Sequence, residues 1–352
     1  MLLSINFPSW LNPEVIPGLP FRWYGLMYLV AFSIAFLMTR KQIRQRRFPM
    51  TEDDLSAMFF CSILGLLLGA RIFSTIVYET SNLYRLNPWL IFWPFRNGHF
   101  TGLQGMSYHG GVIGCITGAV LWSIKNKKDF REILDMLSAA IPLGYTFGRL
   151  GNFINGELYG RVTTVPWGMI FNNAEPLPAS QTWVKEIAEQ VGIEIQKGTT
   201  MVNLPRHPSQ LYEALLEGVV LWAIVYLLRN KKPFKGFITC MYIGGYGFIR
   251  FFIEYFREPD SELQYKIELV KTNLPIAYVH PLTSFSTGQV FCFIMIVIAI
   301  TGLLLLPHLP NPKPIIFYPK ETESEQNTNT ASEKKQYRSQ QTKKITEKVT
   351  VM

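Results

Sequence analysis

Seven apolar stretches constrain the fold of this 352-residue chain more than any other feature. A membrane-spanning helix needs about 20 mostly apolar residues, because the hydrocarbon core of a bilayer is about 30 Å thick. The clearest stretch contains an uninterrupted apolar run from Val290 to Ile300. The predicted spans are 21–39, 55–78, 109–124, 134–151, 211–228, 236–256 and 285–306. The chain is therefore predicted to be an all-α integral membrane protein with about seven transmembrane helices.

The basic residues follow the predicted spans in a regular way. Lysine and arginine collect in the segments 40–47, 125–131 and 229–235, which follow the first, third and fifth spans. Short basic loops face the cytoplasm in membrane proteins. This pattern predicts the N-terminus outside and the C-terminus in the cytoplasm. The net charge of +9 then reflects topology and a basic tail, and no nucleic acid is expected as a partner.

Three segments lie outside the predicted spans and are too long to be simple turns. Residues 80–108 are rich in Trp, Phe and Pro, which is typical of an interfacial arm at the level of the lipid headgroups. Residues 161–210 are polar, and helical spacing over 183–191 predicts a small outer, periplasmic subdomain. Residues 311–352 are polar and low in complexity, which predicts a disordered basic cytoplasmic tail after a membrane domain over 1–310.

The cysteines give no sign of a disulfide framework or a metal site. All four lie within predicted spans, and no Cys or His cluster has the spacing of metal ligands. We therefore expect no disulfide, no metal and no cofactor.

A polar run, 148–161, ends the fourth predicted span. It places an arginine, Arg149, at a membrane boundary together with asparagines, a glutamate and glycines. Ionisable groups are costly in lipid, so a functional role is the first hypothesis for them. Arginine offers a rigid fork of donors that matches phosphate. The run therefore predicts a site for an anion.

The predicted topology brings polar residues of five helices to one depth, near the outer membrane face. These residues are Tyr24, His109, Arg149, Asn152, Glu213, Arg250 and Glu254. Helical spacing also puts Tyr246, Arg250 and Glu254 on one face of their helix. Two arginines at this depth suit the phosphate of an anionic lipid. The alternative is an Arg149–Glu157 or Arg250–Glu254 ion pair that only stabilises packing.

The sequence leaves the roles of several other polar residues within or beside the spans open. His109 could exchange a proton near neutral pH, and Glu157 or Glu254 could act as a base or hold an arginine. Glu217 is interpreted as a packing or hydrogen-bonding residue. Arg71 could extend outward to the membrane surface or contact a second lipid.

The third predicted span also carries a stripe of small residues. Gly110, Gly114 and Gly118 recur every four residues, which is the spacing of one helix face. Such a face allows two helices to approach closely in a membrane.

The polar motifs resemble those of a known family. The run 148–161, Gly-Arg-Leu-Gly-Asn-Phe-Ile-Asn-Gly-Glu-Leu-Tyr-Gly-Arg, resembles the signature of the bacterial phosphatidylglycerol–prolipoprotein diacylglyceryl transferases. Further stretches match in the same order, at 22–28, 109–111, 207–213 and 246–254. The resemblance covers about residues 8–306.

The resemblance implies an enzyme of the bacterial inner membrane with seven spans. It implies transfer of the diacylglyceryl group of phosphatidylglycerol to the lipobox cysteine thiol of a prolipoprotein signal peptide. A thioether forms and glycerol phosphate leaves, in the first step of lipoprotein maturation. The implied partners are phosphatidylglycerol, prolipoprotein signal peptides and the lipid bilayer.

The site roles expected from the motifs and the resemblance fall into two groups. The catalytic candidates are His109, Arg149, Arg250 and Glu157. The phosphatidylglycerol-binding candidates are Arg149, Arg250, Tyr24, Asn152, Tyr246, Glu254 and Gly160. The arginines would hold the phosphate, and His109, or else a carboxylate, would take the thiol proton.

Three other functions are alternatives to this one. A transporter or flippase for an anionic lipid would explain two membrane arginines without chemistry, although the chain has no evident internal repeat. Another lipid-headgroup transferase would need the Asp-Gly-x-x-Ala-Arg metal motif, which is absent. A non-enzymatic membrane scaffold would leave the buried charges unexplained.

Overall fold

The computed structural model describes residues 4–16, 22–46, 48–78, 83–93, 95–96, 99–100, 105–258, 267–268, 275, 277–278, 280–311 and 313. This part of the chain is mostly helical. The predicted tail lies almost wholly outside the described residues, and so does the side chain of Tyr24.

The helices in the described residues are labelled α1 to α11 in chain order. They are α1 Trp23–Arg46, α2 Glu52–Phe73, α3 Leu83–Leu86, α4 Tyr108–Lys125, α5 Phe130–Ser138, α6 Ile141–Ile154, α7 Thr182–Val191, α8 Ser209–Glu213, α9 Leu221–Leu228, α10 Phe237–Ile253 and α11 Thr287–Leu305. A π-helix, Ser74–Tyr78, extends α2, and a second one, Ala214–Val220, joins α8 to α9. Short 3-10 helices occupy Pro88–Ile91 and Leu306–His308.

The strands are short and pair two by two. β1 Ile5–Asn6 runs parallel to β4 Met169–Ile170. The antiparallel pairs are β2 Phe95–Arg96 with β3 His99–Phe100, β5 Leu177–Pro178 with β6 Met201–Val202, and β7 Ile267–Glu268 with β8 Ser284–Phe285.

Four helical segments are long and apolar enough to cross a membrane. They are Gly25–Arg46, Glu52–Val77, Ser209–Leu228 and Thr287–His308. Each coincides with a predicted span, and a shorter apolar helix occupies Phe237–Ile253. Many of their leucines, isoleucines and phenylalanines are exposed, as expected for surfaces that face lipid. The prediction of a helical membrane protein is confirmed at this level.

The segment 134–151, predicted to be one span, is divided between two helices in the structure. α5 ends at Ser138, and α6 begins at Ile141 with Pro142 in its first turn. Proline lacks the backbone N–H that would continue a helical ladder, so it suits a helix start. α6 alone is about 21 Å long at 1.5 Å per residue, which is shorter than the hydrocarbon core.

Glycines set the distance between α2 and α4. A Cβ atom added to Gly114 would lie 2.0 Å from the carbonyl oxygen of Gly65. Added to Gly110 or Gly118, it would lie 2.4 Å and 2.3 Å from backbone oxygens of α2. The predicted glycine face on the third span is therefore confirmed, and it lets the two backbones touch.

Gly114→Ala is expected to destabilise the protein by about 1–3 kcal/mol, because the new methyl group would force α2 and α4 apart. Thermal unfolding in detergent would measure the effect. Gly25→Ala is the matched control, since a Cβ atom at Gly25 would meet nothing within 4 Å. Equal melting temperatures for the two variants would contradict the close-packing account.

In the segment predicted to be an interfacial arm, Arg71 ties described residues to α2. The Arg71 side chain is buried, and its guanidinium donates to the backbone oxygen of Ile91 and to that of Gly105 at 3.2 Å. It also lies 3.3 Å from the Tyr84 hydroxyl. Arg71 thus holds backbone carbonyl groups of the arm, a role that the sequence alone did not suggest.

Residues 161–210 supply most of a small apolar core, against which Tyr278 also packs. Val184, Ile187 and Ala188 on α7 pack against Val162 and Leu204. The helix predicted from the spacing over 183–191 is confirmed as α7.

Buried ion pairs join α5 to the start of α10, at the end of the helices away from Arg149. Lys232 is fully buried, bonds to Glu132 and lies 3.0 Å from Asp135. Asp135 also accepts hydrogen bonds from the backbone nitrogens of Gly236 and Thr239. One carboxylate therefore caps α10 and neutralises a buried lysine.

Candidate active site

Arg149 lies near the end of α6, one turn after Tyr145. Its Nε atom donates to the Tyr145 hydroxyl at 2.6 Å and lies 2.8 Å from Oε2 of Glu213. The guanidinium also lies over the Tyr145 ring, 4.8 Å from the ring centre. The side chain is held by an ion pair, a hydrogen bond and a cation–π contact.

Arg250 on α10 binds the same carboxylate from another side. Its Nη1 atom lies 3.0 Å from Oε2 of Glu213 and 3.5 Å from Oε1 of Glu217. Its Nη2 atom lies 3.3 Å from Glu254, one turn later on the same helix. Glu213 therefore joins both predicted phosphate-binding arginines, and three helical segments contribute to one cluster.

Tyr145 completes this cluster. Its hydroxyl donates to Glu217 and lies 3.3 Å from Oε2 of Glu213. The Tyr145 ring also packs edge to face on Tyr246, with centres 5.9 Å apart. We call Tyr145, Arg149, Glu213, Glu217 and Arg250 the arginine–carboxylate cluster.

Close packing between α6 and the π-helix Ala214–Val220 holds the cluster together. A Cβ atom at Gly218 would lie 2.1 Å from the Thr146 hydroxyl oxygen, so only glycine fits without movement. π-Helical turns are rare and occur often at functional sites. Here the turn follows Glu213 and carries Glu217.

The cluster is charged and almost sealed. Glu213 and Glu217 are completely buried, and Arg250 is 8% exposed. Buried charges of this kind are costly unless they are paired and hydrogen-bonded. Their mutual pairing explains how they are tolerated in an apolar helix bundle.

Arg149 and Tyr145 are the members of the cluster that line a cavity. The cavity has a volume of about 370 Å³, lies between α1 and α6, and includes Tyr28, Phe32, Tyr145, Arg149, Asn152 and Leu158 in its lining. The Arg149 side chain is 17% exposed. Its Nε atom is engaged, whereas Nη1 and Nη2 have no partner among the described residues. The paired terminal nitrogens are the edge of a guanidinium that binds phosphate in a bidentate manner.

Asn152, which lines the same cavity, is bound to Glu157. The Asn152 amide donates to Glu157 at 2.8 Å. Glu157 is exposed and also accepts from Asn155 at 3.4 Å. The ion-pair alternative named Glu157 as the partner of Arg149, but the partner is Glu213. The alternative Arg250–Glu254 pair is present, as one of several contacts of Arg250.

His109 lies in the first turn of α4, and its side chain is exposed. α4 packs mainly on α2, whereas α8 packs on both α6 and α10. Tyr24 lies in the first turn of α1.

Glu254 and Gly160 lie at tightly packed positions. Glu254 accepts a hydrogen bond from the Ser286 hydroxyl at 3.0 Å, in addition to its contact with Arg250. Gly160 is buried, and a Cβ atom there would lie 2.3 Å from the carbonyl oxygen of Phe256. Both residues tie the end of α10 to neighbouring segments.

Two larger cavities are almost entirely apolar. The larger one, about 980 Å³, extends along α10 and α11 and has Trp167, Tyr212 and His207 in its lining. Trp167 donates to the Tyr212 hydroxyl at 2.7 Å, and that oxygen lies 3.2 Å from Nδ1 of His207. Burial lowers the pKa of His207 to about 4, so the imidazole is neutral at pH 7.

The sequence placed Glu213 among the residues that converge near the outer face but gave it no role, and it neither identified Tyr145 nor assigned Glu217 to the site. Tyr145 and Arg149 are four residues apart on one helix, as are Glu213 and Glu217, so each pair shares a face. That spacing was the available signal. In the part of the chain that the structure describes, no group of three His, Cys, Asp or Glu side chains forms a metal site.

Membrane-length apolar helices and a buried charged cluster beside a cavity define a multi-pass membrane protein with a polar site among its helices. A family model described as prolipoprotein diacylglyceryl transferase matches residues 14–305. The chain belongs to this family.

Curated relatives agree with the family match over most of the chain. A phosphatidylglycerol–prolipoprotein diacylglyceryl transferase from Treponema denticola is 53% identical over 87% of this chain and 95% of its own length. The protein of the same name from Treponema pallidum is 50% identical over 87% of this chain and 96% of its own. The one from Chlorobaculum tepidum is 40% identical over 85% and 91%.

Proposed function

We propose that this chain transfers the diacylglyceryl group of phosphatidylglycerol to prolipoproteins, the first step of lipoprotein maturation. The family match supports the activity. The observation that supports the assignment to this site is the position of Arg149. Its guanidinium is held through Nε, and the residue lines a cavity between two helices, where the phosphate of a membrane lipid would be bound.

The acceptor is the lipobox cysteine at the end of the signal peptide. Its thiol loses a proton, and the thiolate attacks the glycerol carbon that carries the phosphate ester. The carbon–sulfur bond forms as the carbon–oxygen bond breaks. The bonding pair stays with the phosphate oxygen, so glycerol phosphate leaves and a thioether remains.

The two arginines have different parts in this step. Arg149 binds the phosphate through its terminal nitrogens and stabilises the negative charge that grows on the leaving group. Arg250 is more deeply buried and is shared among three carboxylates. It contributes positive charge from the buried side of Glu213, the carboxylate that it shares with Arg149.

The base that takes the thiol proton is His109, with a carboxylate as the alternative. Between the two carboxylates considered, the surroundings favour Glu157 over Glu254. Glu157 is exposed and is bound by Asn152, which lines the cavity. Glu254 is buried and is bound by Arg250 and Ser286.

The remaining candidates assist lipid binding. Asn152 lines the cavity beside Arg149 and orients the headgroup by hydrogen bonding. Tyr24, whose side chain lies outside the described residues, is assigned the same task from its motif alone. Tyr246 contacts the ring of Tyr145, and Glu254 and Gly160 fix the end of α10. No metal or cofactor is required, because the arginines supply the positive charge.

The membrane arrangement follows from the basic loops. The chain crosses the bacterial inner membrane seven times, with the N-terminus outside and the C-terminus in the cytoplasm. Residues 161–210 then form a periplasmic subdomain, and 311–352 a cytoplasmic tail. The site faces the side on which a translocated signal peptide presents its cysteine.

The test is a transfer reaction with purified protein in detergent. Phosphatidylglycerol and a lipobox peptide are expected to yield a peptide that is heavier by one diacylglyceryl group. A peptide with Cys→Ala should gain no mass. If folded protein gives no product while a known family member does so alongside, the lipid-transport alternative becomes the better account.

A further inference from the structure

We propose that Glu213 is a positioning residue that holds Arg149 and Arg250 on one carboxylate oxygen and turns the terminal nitrogens of Arg149 toward the cavity. This inference rests on the proposed function, because it concerns how the phosphate site is arranged. Glu213 itself does not line the cavity, and it contacts the lining residues Tyr145 and Arg149 from the buried side.

The argument begins with the atoms that Glu213 engages. Its Oε2 atom lies 2.8 Å from Nε of Arg149 and 3.0 Å from Nη1 of Arg250. An ion pair through Nε uses the inner side of the Arg149 guanidinium. The opposite edge, formed by Nη1 and Nη2, is then left for a ligand.

The second step concerns charge. Two guanidinium groups this close repel each other unless a negative charge lies between them, because the protein interior screens charge poorly. The Glu213 carboxylate supplies that charge at zero exposure. It also competes with a phosphate for the same arginines. Glu213 therefore improves the geometry of the site and at the same time lowers the affinity of the site for phosphate.

The third step concerns rigidity. The Tyr145 hydroxyl links Glu213 to Glu217, and Gly218 packs against Thr146. Glu213 is thus fixed from the side of α6 as well as by the arginines. Displacing a catalytic group by about 1 Å can lower the reaction rate on the order of 100-fold.

These steps predict opposite effects of Glu213→Gln on turnover and on anion binding. The kcat should fall about 100-fold, because Arg149 is no longer held in place. Inhibition by added glycerol phosphate should become about 10-fold tighter, because the competing carboxylate is gone. General damage to the fold would weaken both properties together. Glu213→Asp, which keeps the charge, should return the inhibition constant close to the wild-type value.

The experiment measures kcat, the KM for phosphatidylglycerol and the inhibition constant of glycerol phosphate for each variant. Glu189→Gln on the exposed face of α7 is the matched control and should behave as wild type. Unchanged kcat and unchanged inhibition in Glu213→Gln would overturn the inference. Reduced kcat with weaker inhibition would also overturn it, in favour of a purely structural role.

Two further variants keep the test decisive. Arg149→Ala should weaken inhibition by glycerol phosphate; if it does not, the proposed phosphate site is wrong, whatever Glu213 does. If Glu213→Gln does not fold, Tyr145→Phe replaces it, because it removes only the hydroxyl that holds both Arg149 and Glu213. It should lower kcat about 10-fold, and wild-type kcat would contradict the inference.

Discussion

Arg149→Lys is expected to lower the rate of diacylglyceryl transfer at least about 100-fold, although the positive charge is kept. Lysine is a point charge and cannot replace the geometry of a guanidinium. In the wild type, Nε binds Glu213 and Tyr145, and Arg149 also lines the cavity in which the phosphate is proposed to bind. One ammonium group cannot meet both requirements.

The measurement is the initial rate of product formation with phosphatidylglycerol and a lipobox peptide. Arg44→Lys is a suitable control, since the Arg44 side chain is 62% exposed. Arg44 lies in the last turn of α1, beyond the α1 residues that line the cavity. Thermal unfolding of both variants would exclude a folding defect. Near-normal turnover in Arg149→Lys would show that bidentate binding of the phosphate is not needed.

Lys232→Met is expected to destabilise the protein by about 3–5 kcal/mol. The substitution removes the cation between Glu132 and Asp135, two carboxylates that are 1% and 0% exposed. They would remain buried beside each other after losing the lysine that both of them contact. Because Asp135 also caps α10, the start of the helix that carries Arg250 would loosen.

Thermal unfolding in detergent tests this prediction, with Lys231→Met as the matched control. Lys231 is adjacent in sequence but exposed. Replacing all three charges, with Lys232→Met, Glu132→Gln and Asp135→Asn together, should recover part of the lost stability. A melting temperature unchanged by Lys232→Met alone would refute the account of the buried cluster.

The sequence by itself determined the helical membrane class and the family. Apolar stretches are recognisable because water and lipid sort side chains by polarity, whatever the rest of the chain does. The four segments that the structure finds long and apolar enough to span a membrane each match a predicted span. The glycine face of α4 was also predictable, since small residues at helical spacing have one common use in membranes.

Only the tertiary structure decided which charges meet. Tyr145 and Glu217 are 72 residues apart, and nothing in the sequence indicates that their side chains are in contact. Arg149 had a plausible partner nearby in Glu157, yet it binds Glu213 on another helix. The break between α5 and α6 was hidden for a similar reason, because the apolar run continues through it. Polarity along the chain sets where a helix can lie, whereas an ion pair depends on distances of a few ångströms between helices, which only their packing defines.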